Sequence, residues 1–80
     1  MTRIYHIDDF KENEFYMIYH PVTHIKICYE CVEISETESN LSLKSLNTNK
    51  LYKIYGNTIN GHKGREFYHI SKETHPEYFL

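Results

Sequence analysis

Between His24 and Ile34 the chain sets Ile25, Ile27, Tyr29 and Cys31 in alternation with His24, Lys26, Cys28 and Glu30. A period of two is the pattern of a strand with one face buried. Val32 and Ile34 fall out of phase with Ile25 and Ile27, so a bulge or strong twist is expected near Cys31. The run E-F-Y-M-I-Y-H from Glu14 to His20 comes just before, and Pro21-Val22-Thr23 separates the two runs, which predicts a hairpin closed at Pro21. Upstream, Arg3 to Ile7 reads as a first short strand. Asp8-Asp9 then offers an N-cap for a helical or tight turn through Asn13.

Downstream, S-E-T-E-S-N from Ser35 to Asn40 has nothing to bury and reads as a mobile loop. Leu41, Leu43 and Leu46 mark a further strand, turned at Asn47-Thr48-Asn49. Leu51 to Ile59 forms the next, with a bulge at Gly56. Asn60-Gly61-His62-Lys63-Gly64 carries residues that tolerate positive φ, and it separates L-Y-K-I-Y-G-N-T-I from R-E-F-Y-H-I. A second hairpin is expected there, followed by a short helical turn starting near Pro76. Five or six short antiparallel strands in one domain spanning residues 1–80 predict an all-β fold, a small curved antiparallel sheet or partly open barrel of the SH3-like or OB-like kind. The alternative is an α+β arrangement with one short helix.

Composition supports strands. The chain has nine Ile, eight Tyr and four Phe but no Ala, so the side chains that pack well on a pleated surface dominate and the best helix former is missing. With Gly and Pro few, this is the residue usage that an AT-rich gene gives. In that composition, over a short chain starting at Met1, the sequence resembles the small early proteins of large bacteriophages. The resemblance implies a protein that inhibits or redirects a host protein.

Charge is divided along the chain. Asp8, Asp9, Glu12, Glu14, Glu30, Glu33, Glu36 and Glu38 meet Arg3, Lys11 and Lys26 in the first half. Lys44, Lys50, Lys53, Lys63, Arg65 and Lys72 meet Glu66, Glu73 and Glu77 in the second. Such a dipolar chain can dock a partner through either part, or its two halves can attract each other within a barrel. No run approaches the ~20 apolar residues that a membrane span needs, so no membrane contact and a cytoplasmic location are expected.

His20, His24, Cys28 and Cys31 supply the side chains that zinc prefers, but neither a strand nor a helix brings all four to one ion. C-Y-E-C lacks the helix N-terminus that stabilises a redox thiolate. No nucleophile elbow, phosphate loop or dinucleotide fingerprint is present, and Asp8-Asp9 reads as a capping pair. A non-enzymatic protein with no cofactor and no metal is expected. Its partner-binding residues are expected on the C-terminal hairpin, at Tyr52, Lys53, Tyr55, Lys63, Arg65 and Tyr68, with Tyr78 and Phe79 in the tail. Tyrosine is a preferred interface anchor, and eight exceed what so small a core can hide. The expected partner is a cellular protein of a bacterial host, bound by a monomer or a homodimer paired through an edge strand. The alternative is a nucleic acid, with rings stacking on bases while Lys and Arg neutralise phosphates.

Overall fold

The structure is a computed structural model that describes residues 2–55 and 64–79. Six strands form one antiparallel sheet: β1 (Thr2–Ile4), β2 (Phe15–Tyr19), β3 (Lys26–Ser35), β4 (Asn40–Ser45), β5 (Leu51–Tyr55) and β6 (Glu66–Ile70). Their order across the sheet is β1-β6-β2-β3-β4-β5, so β1 and β5 are the outer strands and the sheet is open. The helical content among the described residues is two single 3-10 turns, at Ile7–Asp9 and Pro76–Phe79. The all-β expectation holds.

The sheet is strongly curled, and one hydrogen bond measures the curl. Four strand spacings separate β6 from β5, roughly 19 Å in a flat sheet. Yet Arg65, directly before β6, donates through Nη1 to the Tyr52 hydroxyl of β5 at 2.6 Å. Curling encloses a concave face on which Ile4, Tyr16, Ile18, Tyr29, Cys31, Leu41, Leu43, Ile54 and Phe67, drawn from all six strands, make one core.

No helix among the described residues covers that face, and the chain between β1 and β2 fills it. Phe10 is buried against Tyr16, with ring centroids 4.5 Å apart, and meets Phe67 edge-on at 6.2 Å. The segment is held by its backbone. Lys11 N–H donates to the Tyr16 hydroxyl at 2.8 Å, Asn13 N–H donates to the Cys31 carbonyl at 2.7 Å, and the Glu12 carboxylate accepts from Ile34 N–H at 3.0 Å. Asn13 takes a φ of 69° here, a left-handed conformation that Asn adopts more readily than most residues.

The convex face has its own apolar patch. Met17 is buried on β2 and Ile70, also buried, is paired with Phe15. The tail folds back over it, with Phe79 edge-on to Phe15 at 4.8 Å and the Lys72 ammonium 5.4 Å from the Phe15 ring. Both faces of β2 are therefore covered, which is why three consecutive residues, Tyr16, Met17 and Ile18, are all buried.

The first hairpin, the bulge between Cys31 and Glu33, the Asn47-Thr48-Asn49 turn and the turn at Pro76 are where the sequence pattern puts them. Two details differ. The first strand ends at Ile4, and Ile7 joins the 3-10 turn, in which Asp8 and Asp9 lie within the turn, and His6, its N-cap, makes no side-chain capping bond. The second hairpin is not formed: β5 and β6 run in the same direction with β4, β3 and β2 between them, an arrangement that no tight turn can join. Similar strand-like runs on either side of an Asn-Gly sequence carry no information about which neighbours each run pairs with. The Gly56 bulge and most of the Asn60 turn lie outside the described residues.

Two stability measurements follow from this packing. Truncating Phe10 to Ala removes the ring that fills the concave face and is expected to cost about 3 to 5 kcal/mol in urea unfolding. The Tyr16 phenol is pushed from its ordinary value near 10 up to about 12, by burial first, against the opposing hydrogen bond from Lys11. Folding therefore favours the neutral phenol. The resulting stabilisation, on the order of 2 kcal/mol, is fully present below pH 10 and is lost as pH rises through 12. Comparing wild type with Tyr16→Phe across that range isolates it; a Tyr16→Phe variant with the same alkaline loss as wild type would contradict the assignment.

Candidate functional site

The strand ends differ in chemistry. β2 and β4 finish at the end where β3, β5 and β6 begin, and there the chain exposes apolar side chains: Val22 and Ile25 in the β2–β3 turn, Ile27 on β3 and Leu51 on β5. Ile25 is 54% exposed, Ile27 39% and Leu51 62%. Lys26, Lys50 and Arg65 stand among them. The opposite end gathers Asp8, Asp9, Glu12, Glu33, Glu36 and Glu38, with Lys11.

The exposure of Ile27 has a specific cause. It belongs to the concave side of β3, in the row of Ile18 and Phe67, and the alternation pattern marks it for burial. However, the last β3–β4 pair is Tyr29 with Ser45, so Lys26 to Cys28 have a β2 neighbour but lie beyond the end of β4. The chain leaves the ladder at Leu46, whose N–H donates to the Cys28 carbonyl at 3.0 Å. The overhang leaves a notch of about 330 Å³, lined by Ile27, Tyr29, Leu51 and Tyr52 and bordered by Lys50 and the Ser45 to Thr48 turn.

The walls are tied in place. Ser45 Oγ accepts from the backbone N–H of Asn47 and of Thr48, each at 3.3 Å, and Asn49 N–H donates to the Ser45 carbonyl at 3.0 Å. The Tyr29 and Tyr52 rings pack 5.9 Å apart. Arg65 lies over the Tyr52 ring at 5.7 Å while it donates to the hydroxyl, and its Nε donates to His20 Nε2 at 3.0 Å. His20 thus presents a lone pair at Nε2. The Tyr29 phenol is raised by burial and by Tyr52, with the Arg65 charge opposing, as its place between the core and the cation requires.

A second hollow lies at the acidic end, between the first 3-10 turn and the β3–β4 turn, lined by Ile7, Phe10, Ile34, Asp8, Glu36 and Asn40. Its apolar floor is the core itself, since Phe10 is 3% exposed. Its polar rim is partly engaged internally, with the Asn40 amide donating to Glu38 and Glu38 N–H to Ser35 Oγ. Asp8 and Glu36 stay exposed on it. The notch exposes apolar side chains.

Of the residues expected to bind a partner, the structure brings Tyr52 and Arg65 together at this notch. Lys53 and Tyr55 sit on β5, Tyr55 paired with Asn40 near the other end. Tyr68 is on β6 beside Met17, its hydroxyl donating to Glu66, and Tyr78 and Phe79 belong to the tail over Phe15. Lys63 lies outside the described residues. The expected residues that are described are therefore divided, because β5 and β6 do not pair with each other. Val22, Ile25, Ile27 and Leu51 were not expected. Their apolar character beside Lys26 and Lys50 was visible, but the length of the β3 overhang was not.

Cys28 and Cys31 point to opposite faces of β3, since Cys28 pairs with Met17 and Cys31 joins the concave core. Burial pushes the Cys31 thiol up to about 11, with Glu12 adding to the effect, and burial raises Cys28 as well. Both thiols are poor nucleophiles in this setting. His24 Nδ1 is bonded to the Tyr19 hydroxyl at 2.7 Å, and the Glu14 carboxylate is 2.6 Å from His69 Nε2. No group of three or more His, Cys, Asp or Glu side chains converges among the described residues, and no described helix is long and apolar enough to cross a membrane. Comparison with known protein families, with curated proteins and with solved structures finds no match to this chain.

Proposed function

We propose that this domain is a non-enzymatic protein-binding module, which occludes or recruits a cellular protein through the end of the sheet that carries Ile25, Ile27 and Leu51. The observation behind this reading is the exposure of those side chains around a tethered aromatic notch. Contiguous apolar surface rimmed by charge is a feature of interaction sites, and a domain of this size loses stability by leaving it uncovered. Tyr52, packed on the buried Tyr29 ring, supplies the rigid, low-entropy contact area that interface anchors share. The compositional resemblance to small phage proteins makes a bacterial host protein the partner to look for.

Nucleic-acid binding is less well supported. The whole chain carries a net charge of −2 and has only two Arg, Arg3 and Arg65. The aromatic and basic residues that suggested stacking are also spread over different parts of the sheet.

The test is an affinity capture from bacterial lysate, with and without nuclease, using the wild-type domain and the variants Ile27→Asp, Leu51→Asp and Tyr55→Asp. All three positions are exposed, so the fold is expected to persist, which circular dichroism checks. A protein retained after nuclease treatment, lost with the first two variants and kept with the third, is the expected result. Capture of nucleic acid alone, released by salt, would reassign the function; a partner indifferent to Ile27 and Leu51 would move the site.

A further inference from the structure

We infer that the notch formed by Ile27, Tyr29, Leu51 and Tyr52 takes a large apolar side chain from an acidic peptide segment of the partner. This rests on the protein-binding reading above and adds the chemistry of what is bound. Shape supplies the first half of the argument. The notch is concave, has a volume of about 330 Å³ and is floored by two tyrosine rings, a setting for one apolar anchor and too small for a folded surface.

Charge supplies the second half. Lys50 lines the notch and Arg65 stands on the Tyr52 ring, while Lys26 opens β3 on the convex side with Glu30. Arg65 uses its Nε–H and one Nη1–H in the bonds to His20 and Tyr52, leaving part of the guanidinium fork to meet a carboxylate. Glu66, the acid on β6 nearest this end, is engaged by Arg3 at 4.0 Å and by the Tyr68 hydroxyl. Glu30 pairs across strands with Phe15 and Lys44, on the convex side. The rim is thus positive, and a basic segment would meet repulsion where an acidic one meets Lys50 and Arg65.

The geometry also explains why the anchor is expected to come from a short segment. Ile27 lies on the overhang of β3, where the ladder lacks a β4 neighbour, so an extended chain can approach the strand alongside the notch. Its flanking side chains then reach Lys50 and Arg65.

The experiment is selection of a random peptide library on the immobilised full chain, followed by fluorescence polarisation with one synthesised peptide from the enriched set. Enrichment of sequences with a single Phe, Leu or Trp flanked by Asp or Glu is expected. Affinity for that peptide is expected to fall roughly tenfold or more with Ile27→Asp and with Lys50→Glu, and to stay unchanged with Tyr55→Asp. Replacing the acids of the peptide by Lys should abolish binding, and raising salt should weaken it. Enrichment of neutral or basic peptides, no enrichment, or binding indifferent to Ile27 would overturn the inference. If the captured partner still depends on Ile27 and Leu51 in that case, the protein-binding reading stands and the acidic segment alone is wrong. Light scattering of the free domain covers the remaining occupant: mass growing with concentration and falling with salt would assign the notch to the acidic end of a second copy and also overturn it.

Discussion

A single sheet without helices has an apolar face and nothing to lay against it, and this constraint shapes the molecule. The solution is to curl until the face packs on itself, bringing Ile4 of one outer strand and Ile54 of the other into the same core. Curling a six-stranded sheet leaves a gap in the middle that strand side chains do not close. Phe10 fills it from a connecting segment, and the bonds donated by Lys11 and Asn13 N–H and accepted by the Glu12 carboxylate replace the ladder that this segment lacks. The same curl brings Arg65 to Tyr52, so the feature that completes the core also builds the wall of the notch.

Strand ends that do not line up are the second consequence. The β3 strand is ten residues long, while β4 has six and reaches only to the level of Tyr29. At the acidic end β3 and β4 are flush, with Ser35 paired to Asn40, and the part of β3 beyond β2 is bonded by Asn13 and Glu12. At the other end nothing among the described residues covers Ile27, and the hydrophobic alternation of β3 continues into solvent. A surface of this kind is cheap to make from a core pattern: the side chains are those a longer β4 would have buried, with the lysines that keep the exposed strand soluble placed next to them.

Charge was divided by sequence halves and is divided again by the fold, along a different line. Glu30, Glu33, Glu36 and Glu38 follow one another in the chain, yet Glu30 faces Lys44 across strands while Glu33 and Glu36 lie near the far end with Asp8. Lys26 comes from the acidic half and ends up at the basic end. The polarity of the folded domain therefore depends on strand direction as much as on sequence composition, and this asymmetry is what gives the notch its positive rim.

The sequence alone determined the local structure. The period of two between Ile25 and Cys31, the phase change at Val32, the break at Pro21 and the missing Ala are short-range properties, and they define the strands, the bulge, the first hairpin and the all-β class. The tertiary structure decided the pairing of β5 and β6, because strand partners are chosen by burial over the whole sheet and two similar runs beside an Asn-Gly pair are locally indistinguishable from a hairpin. It also decided which apolar side chains stay outside. Ile27 and Ile18 carry the same local signal and share a row of the sheet, and they part only because β6 continues past one and β4 stops short of the other. Tyr52 and Arg65 meet for the same reason: their contact is a property of curvature, which arises when the whole apolar face is buried at once.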